Sequence, residues 1–164
     1  MSTLIVYATK HGTTEKAVER LEEMLSDTID KVNIGKERIN NIEEYDCIVI
    51  GGSIHMGNIQ KKIRKFIKTN EQLLITKKIG LFLCCMRTDQ EAEDQFNAAY
   101  PEILRNQAIA TELFGGEFII SKMSKLDKMI IEKVSGETED SSSLNVKVIE
   151  RFAKKINDQL VLER

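Results

Sequence analysis

One junction near the start of the chain does most to restrict what it can fold into. Thr3-Leu4-Ile5-Val6-Tyr7-Ala8, rich in β-branched and aromatic residues, runs into the polar stretch Thr9-Lys10-His11-Gly12-Thr13-Thr14. The spacing then changes to that of one helix face, at Ala17, Val18, Leu21, Met24 and Leu25. A strand apolar on both faces belongs inside a sheet covered on both sides, and a strand feeding straight into a helix is the unit of a parallel sheet. The loop between them lies at a helix N-terminus, where free N–H groups and the helix dipole favour an anion. Gly12 permits a tight turn and close backbone approach. The loop is neither a Walker A motif nor a dinucleotide fingerprint. What is left is a nest of hydroxyls and amides suited to a terminal phosphate, or a threonine-capped helix with no ligand.

The rest of the chain repeats the pattern. Thr28–Ile34 is a weaker strand candidate, and Cys47-Ile48-Val49-Ile50 is strongly buried and ends at Gly51-Gly52-Ser53. A helix follows with Ile59, Ile63, Phe66 and Ile67 on its apolar face, then a strand over Ile79–Cys85 and a helix from near Glu91. Pro101 ends that helix or begins a new turn. Glu112–Phe118 reads as the last main strand, with Gly115-Gly116 marking a bulge or a close approach. Met123–Val134 has helical spacing, Ser135–Ser143 reads as a polar connection, and Ile149, Phe152, Ala153, Ile156 and Leu160 mark a terminal helix. Five strands alternating with helices predict one α/β domain over residues 1–164. Its parallel sheet is doubly wound, in the order 2-1-3-4-5, with helices on both faces.

Such sheets bind ligands beyond the carboxyl ends of their strands, beside the switch point. Three loops fall there: Thr9–Thr14, then Ser53-Ile54-His55-Met56-Gly57-Asn58, then Cys85-Met86-Arg87-Thr88. Gly57-Asn58 is a turn pair tolerant of positive φ. His11 and His55 are candidate proton or phosphate contacts, and equally solvent-facing side chains. With a formal net charge of −2, nucleic acid is not the expected partner. No apolar run reaches membrane-spanning length and the N-terminus has no signal-peptide pattern, so the expectation is a cytoplasmic protein without stable membrane insertion. Cys47, Cys84 and Cys85 lie in apolar runs without metal or redox spacing, as expected of buried thiols in a reducing compartment. No residue stands out as catalytic, and no metal ligands are predicted.

The pattern Thr9-x-x-Gly12-Thr13-Thr14 after a first strand resembles the phosphate loop of flavodoxins, which holds the 5′-phosphate of FMN. The resemblance extends over nearly the whole chain. Tyr45–Ile54 with Gly57, and Ser135–Asp140 before the last helix, are most similar to the flavodoxin-like branch containing menaquinone-dependent protoporphyrinogen oxidase. It implies FMN as cofactor, with Thr9, Lys10, His11, Gly12, Thr13 and Thr14 at the phosphate. Ser53 to Asn58 would lie beside the ring, with Met56 against it and the Gly57–Asn58 peptide reorienting on reduction. Cys85 to Thr88 would cover the other side, Met86 standing where that family often places an aromatic residue. The implied function is electron transfer to a redox partner protein or a quinone. Quinone-linked porphyrinogen oxidation and a flavin-free interaction domain on the same scaffold are the alternatives. The phosphoacceptor receiver module, which shares the fold, needs acidic residues at the ends of strands 1 and 3; Ala8-Thr9 and Gly52-Ser53 stand there instead.

Overall fold

The computed structural model describes residues 1–162. In chain order its elements are β1 (Ser2–Tyr7), α1 (Thr13–Met24), β2 (Thr28–Asn33), β3 (Cys47–His55), β4 (Asn58–Ile59), α2 (Lys61–Leu74), β5 (Lys78–Cys84), α3 (Asp89–Ala99), α4 (Glu102–Gln107), β6 (Ala110–Gly115), β7 (Glu117–Phe118), α5 (Lys125–Ser135), β8 (Ser141–Ser142) and α6 (Val146–Val161). The main sheet runs β2-β1-β3-β5-β6, all parallel. Counting only these five long strands, that is the expected order 2-1-3-4-5. The two-residue β4 pairs antiparallel with the end of β3.

Alternation along the strands creates two cores. Successive side chains point to opposite faces, so Ile5, Tyr7, Cys47, Val49, Phe82 and Cys84 go to one side, where α1 and α6 meet them through Ala17, Val18, Leu21, Ile149, Phe152, Ala153 and Ile156. Leu4, Val6, Ile48, Ile50, Ile79, Leu81 and Leu83 go to the other, against Ile63, Ile67 and Leu74 of α2, with Tyr100 and Leu104. Cys84 and Cys85 are both buried with free thiols. Tyr100, wholly buried, donates its hydroxyl to the carbonyls of Phe82 and Ile50 and so pins the turn before α4 to the sheet. Pro101 is the N-cap of α4, which begins a separate helix after α3.

The last strand departs from the expected Glu112–Phe118. The chain leaves the sheet at Gly115, and Glu117-Phe118 instead pairs antiparallel with Ser141-Ser142, inside the segment read as a plain connection. The reason is local crowding. Gly115 has φ +79°, and a Cβ there would lie 2.0 Å from the Ser143 carbonyl oxygen. Only glycine lets the returning strand come so close. The helix placed from Ile59 starts at Lys61, because Ile59 is spent pairing with Ile54. Among the described residues no helix is long and apolar enough to cross a membrane.

The α1–α6 core centres on three rings. Phe82 and Phe114 stack at 4.4 Å between centroids, and Phe152 meets them edge-on at 6.1 and 5.2 Å. Phe152→Ala empties the middle of this cluster and is expected to cost about 3–5 kcal/mol. Urea unfolding followed by far-UV circular dichroism checks it; a loss below about 1 kcal/mol would mean that the rings carry little of the core.

Candidate functional site

A cleft of about 460 Å³ opens at the carboxyl edge of the sheet, within the range of small-molecule sites. Thr9, His11 and Thr13 line one end, Ser53 to Gly57 one wall, Cys85, Met86 and Arg87 another, and α5 overhangs it with Asp127, Ile130, Ile131 and Val134. All three loops singled out in the sequence therefore reach one cavity.

At the first loop Gly12 has φ +93° and precedes α1, and no side chain caps that helix. The Gly12 N–H donates to Thr9 Oγ1 at 2.9 Å, which tightens the loop. Thr13 is buried at the cleft, and Thr14 is completely buried behind it. Thr14 Oγ1 has no oxygen or nitrogen partner and lies beside the weakly bonding Cys84 thiol. An under-bonded buried hydroxyl costs free energy, and here it stands beside the open N–H groups of a helix terminus. Lys10 and Gly12 belong to this loop but do not line the cavity.

The second loop is a β-hairpin. Pairing of His55 with Asn58 leaves Met56 and Gly57 as its two central residues, with φ +50° and +75°. Positive φ at both positions is what a type I′ turn needs. The turn pair is thus Met56-Gly57 and not Gly57-Asn58. Asn58 opens β4, its side-chain amide donating to the Met56 carbonyl at 3.2 Å. Met56 stands 69% exposed at the rim. Gln60 braces the wall, accepting from the Ser53 N–H at 3.1 Å and donating to Ser53 Oγ at 2.7 Å. In the third loop Arg87 pairs with Glu91 at 3.3 Å, and Thr88, at the N-cap of α3, lies off the cavity.

The ionisable groups converge on Lys10. Its ammonium donates to Asp127 Oδ1 at 2.8 Å and meets His55 Nε2 at 2.9 Å. An ammonium has no acceptor, so Nε2 accepts and the neutral His55 carries its proton on Nδ1. Burial, then the Lys10 charge, hold the His55 pKa below its ordinary value, and burial does most to lower that of His11. The Lys10 bond holds the Asp127 carboxyl below the usual carboxylate range. Burial pushes the Cys84 thiol up to about 12 and raises Cys85 as well, so neither is poised as a thiolate nucleophile.

Sequence reasoning missed α5 as a wall of the site. Its one usable signal was Ser124-x-x-Asp127 at the start of a helix. Ser124 Oγ accepts from the Asp127 N–H at 3.2 Å and donates to Asp127 Oδ2 at 2.9 Å, a capping arrangement. That pattern marks a helix start but gives no hint that the helix lies across a cleft. Glu117 was missed likewise; it lines the cavity and pairs with Lys16 at 3.0 Å.

Comparison with known proteins agrees with this architecture. The family model for the flavodoxin domain matches residues 4–145. An uncharacterized protein of Methanocaldococcus jannaschii is 31% identical over 110 residues, covering 63% of this chain and 71% of that protein. A Fusobacterium nucleatum flavodoxin bound to flavin mononucleotide superposes with a TM-score of 0.53 at 14% identity, over 96% of this chain and 98% of that one. The rubredoxin oxygen:oxidoreductase of the anaerobe Desulfovibrio gigas gives 0.58 at 12% identity, over 99% of this chain. The chain spans only 36% of that protein's length. At such identities the two superpositions speak for the fold alone.

Two measurements test this geometry. Gly57→Val places a β-branched residue at φ +75°, where no atom lies within 4 Å of the new Cβ. The penalty is therefore backbone conformation alone, about 1–2 kcal/mol, read from denaturant midpoints; an unchanged midpoint would exclude the turn conformation. The second is pH dependence. His11 and His55 have folded pKa values below their unfolded ones. Below about pH 6.5 the unfolded chain therefore binds more protons, and stability falls with acid. The Asp127 contribution is present above the unfolded carboxylate pKa of about 3.9 and disappears as pH drops through its lower folded value. The melting temperature should decline from pH 7 to 5.5 and decline less in the His11→Asn/His55→Asn variant. Parallel curves for the two proteins would remove the histidines from the account.

Proposed function

The chain belongs to the flavodoxin domain family, and from that premise we propose that it binds FMN in the cleft and serves as an electron carrier. One observation bears most of the weight: Thr14 Oγ1 is buried without an oxygen or nitrogen partner at the head of α1, directly behind Thr13 of the cleft lining. With Thr9, Thr13 and the open amides of the helix terminus it supplies neutral donors for a terminal phosphate. The donor set fits a single phosphate group; a pyrophosphate would call for further glycines in the loop. Ser53 to Gly57 and Cys85 to Arg87 would hold the ring between them, the thioether of Met86 lying where an aromatic residue would otherwise stack. Bound there, FMN supplies the redox chemistry, and the protein supplies orientation and electrostatics.

The chain's own contribution is to shape and shield that place. The hairpin at Met56-Gly57 leaves one edge of the cleft open at the surface, where a redox partner protein or a quinone would meet the cofactor. Ile130, Ile131 and Val134 of α5 give the other edge an apolar lining. The same cleft has room for one ligand of FMN's class, so a tetrapyrrole would have to stack on its rim. That favours small acceptors or quinones over protoporphyrinogen. Three buried free thiols support a reducing, cytoplasmic compartment.

The direct test is the visible spectrum of the purified and FMN-reconstituted protein, with the released cofactor identified. Absence of flavin absorption and of fluorescence quenching on titration with FMN would overturn the reading. Thr14→Ala combined with Gly12→Val removes one hydroxyl and opposes φ +93°. Together these are worth about 2–3 kcal/mol, or roughly a 30- to 150-fold loss of FMN affinity with the fold retained. Unchanged affinity would remove the phosphate assignment. Anaerobic mixing with protoporphyrinogen, with and without a menaquinone analogue, separates carrier from oxidase: rapid flavin bleaching that proceeds to turnover with quinone would favour the oxidase.

A further inference from the structure

Lys10 is the one full cation among the six residues of the phosphate loop, and it is not aimed at the nest. Its ammonium is held by Asp127 Oδ1 at 2.8 Å and by His55 Nε2 at 2.9 Å. Asp127 comes from α5, more than a hundred residues away, and is the one buried residue of that helix. Its second oxygen is taken by Ser124 Oγ at 2.9 Å, so the carboxylate is locked in place facing the loop. The His55 ring stands 6.4 Å from that of His11, centroid to centroid, and both line the cleft. Lys10 and Asp127 therefore cancel each other's charge beside the nest, while the nest itself keeps only neutral donors.

Resting on the FMN reading, we propose that Asp127 is an internal competitor for the cofactor's phosphate. It keeps the Lys10 ammonium out of the nest, so the phosphate is recognised by hydroxyls and amides, and it thereby sets how strongly the site prefers a phosphorylated flavin over the unphosphorylated one. A carboxylate and a phosphate near one ammonium compete for the same charge-assisted bonds. With the carboxylate neutralised, the freed Lys10 turns to the phosphate, which only the phosphorylated flavin offers.

The experiment measures dissociation constants of FMN and riboflavin by flavin fluorescence for the natural protein, Asp127→Asn, Lys10→Met and the double variant. Asparagine keeps an oxygen to accept from Ser124, which preserves the start of α5. The riboflavin-to-FMN ratio of dissociation constants should rise roughly tenfold in Asp127→Asn. It should stay within about twofold in Lys10→Met, and the double variant should match Lys10→Met. A ratio unchanged in folded Asp127→Asn overturns the competitor role while leaving the FMN site intact. Failure of the natural protein to bind FMN overturns the FMN reading and this inference with it. Should Asp127→Asn not fold, Lys10→Met decides alone: a tenfold fall in its ratio would show that Lys10 already serves the phosphate, and would overturn the proposal.

Discussion

Burial of the central strands on both faces is the constraint from which the rest follows. β1, β3 and β5 have no solvent side, so each must divide its residues between two cores, and helices must cover both. Ile5 and Val49 look toward α1 and α6, while Leu4 and Ile48 look toward α2. Every strand is parallel to its neighbours in the main sheet, so each crossover returns the chain to the same end, and the loops after β1, β3 and β5 gather along one edge. The cleft is a consequence of that topology.

At that edge the usual rules of packing are relaxed. Thr14 leaves a buried hydroxyl short of partners, Met56 takes a positive φ that a non-glycine residue adopts at some cost, and Lys10 is held by a carboxylate distant in sequence. Departures of this kind concentrate where a fold serves something beyond its own stability.

The five long strands, their order and both helical layers were readable from alternation and helical spacing. The two-core division follows from period alone. The site was readable in its loops, because glycines, threonines and strand ends have local signatures. The turn was displaced by one residue: Gly57-Asn58 looks like the turn pair, but pairing of His55 with Asn58 shifts the centre to Met56-Gly57. The β7–β8 ribbon escaped because two-residue strands carry no period, and Gly115-Gly116 marked only that something comes close.

What the sequence determined by itself is what depends on neighbours in the chain: strand and helix identity, the hydroxyl-rich loop, and through them the parallel sheet. What only the tertiary structure decided is what depends on contacts across long separations. α5 has an apolar stripe and a serine–aspartate start, and nothing in residues 125–135 says which surface it will cover. Its place over the cleft is set by Asp127 meeting Lys10 and by Met123 and Ile120 entering the protein's interior. The charge state beside the phosphate loop depends on that pairing, because an ion pair between residues 10 and 127 leaves no periodicity, spacing or composition for a linear reading to detect.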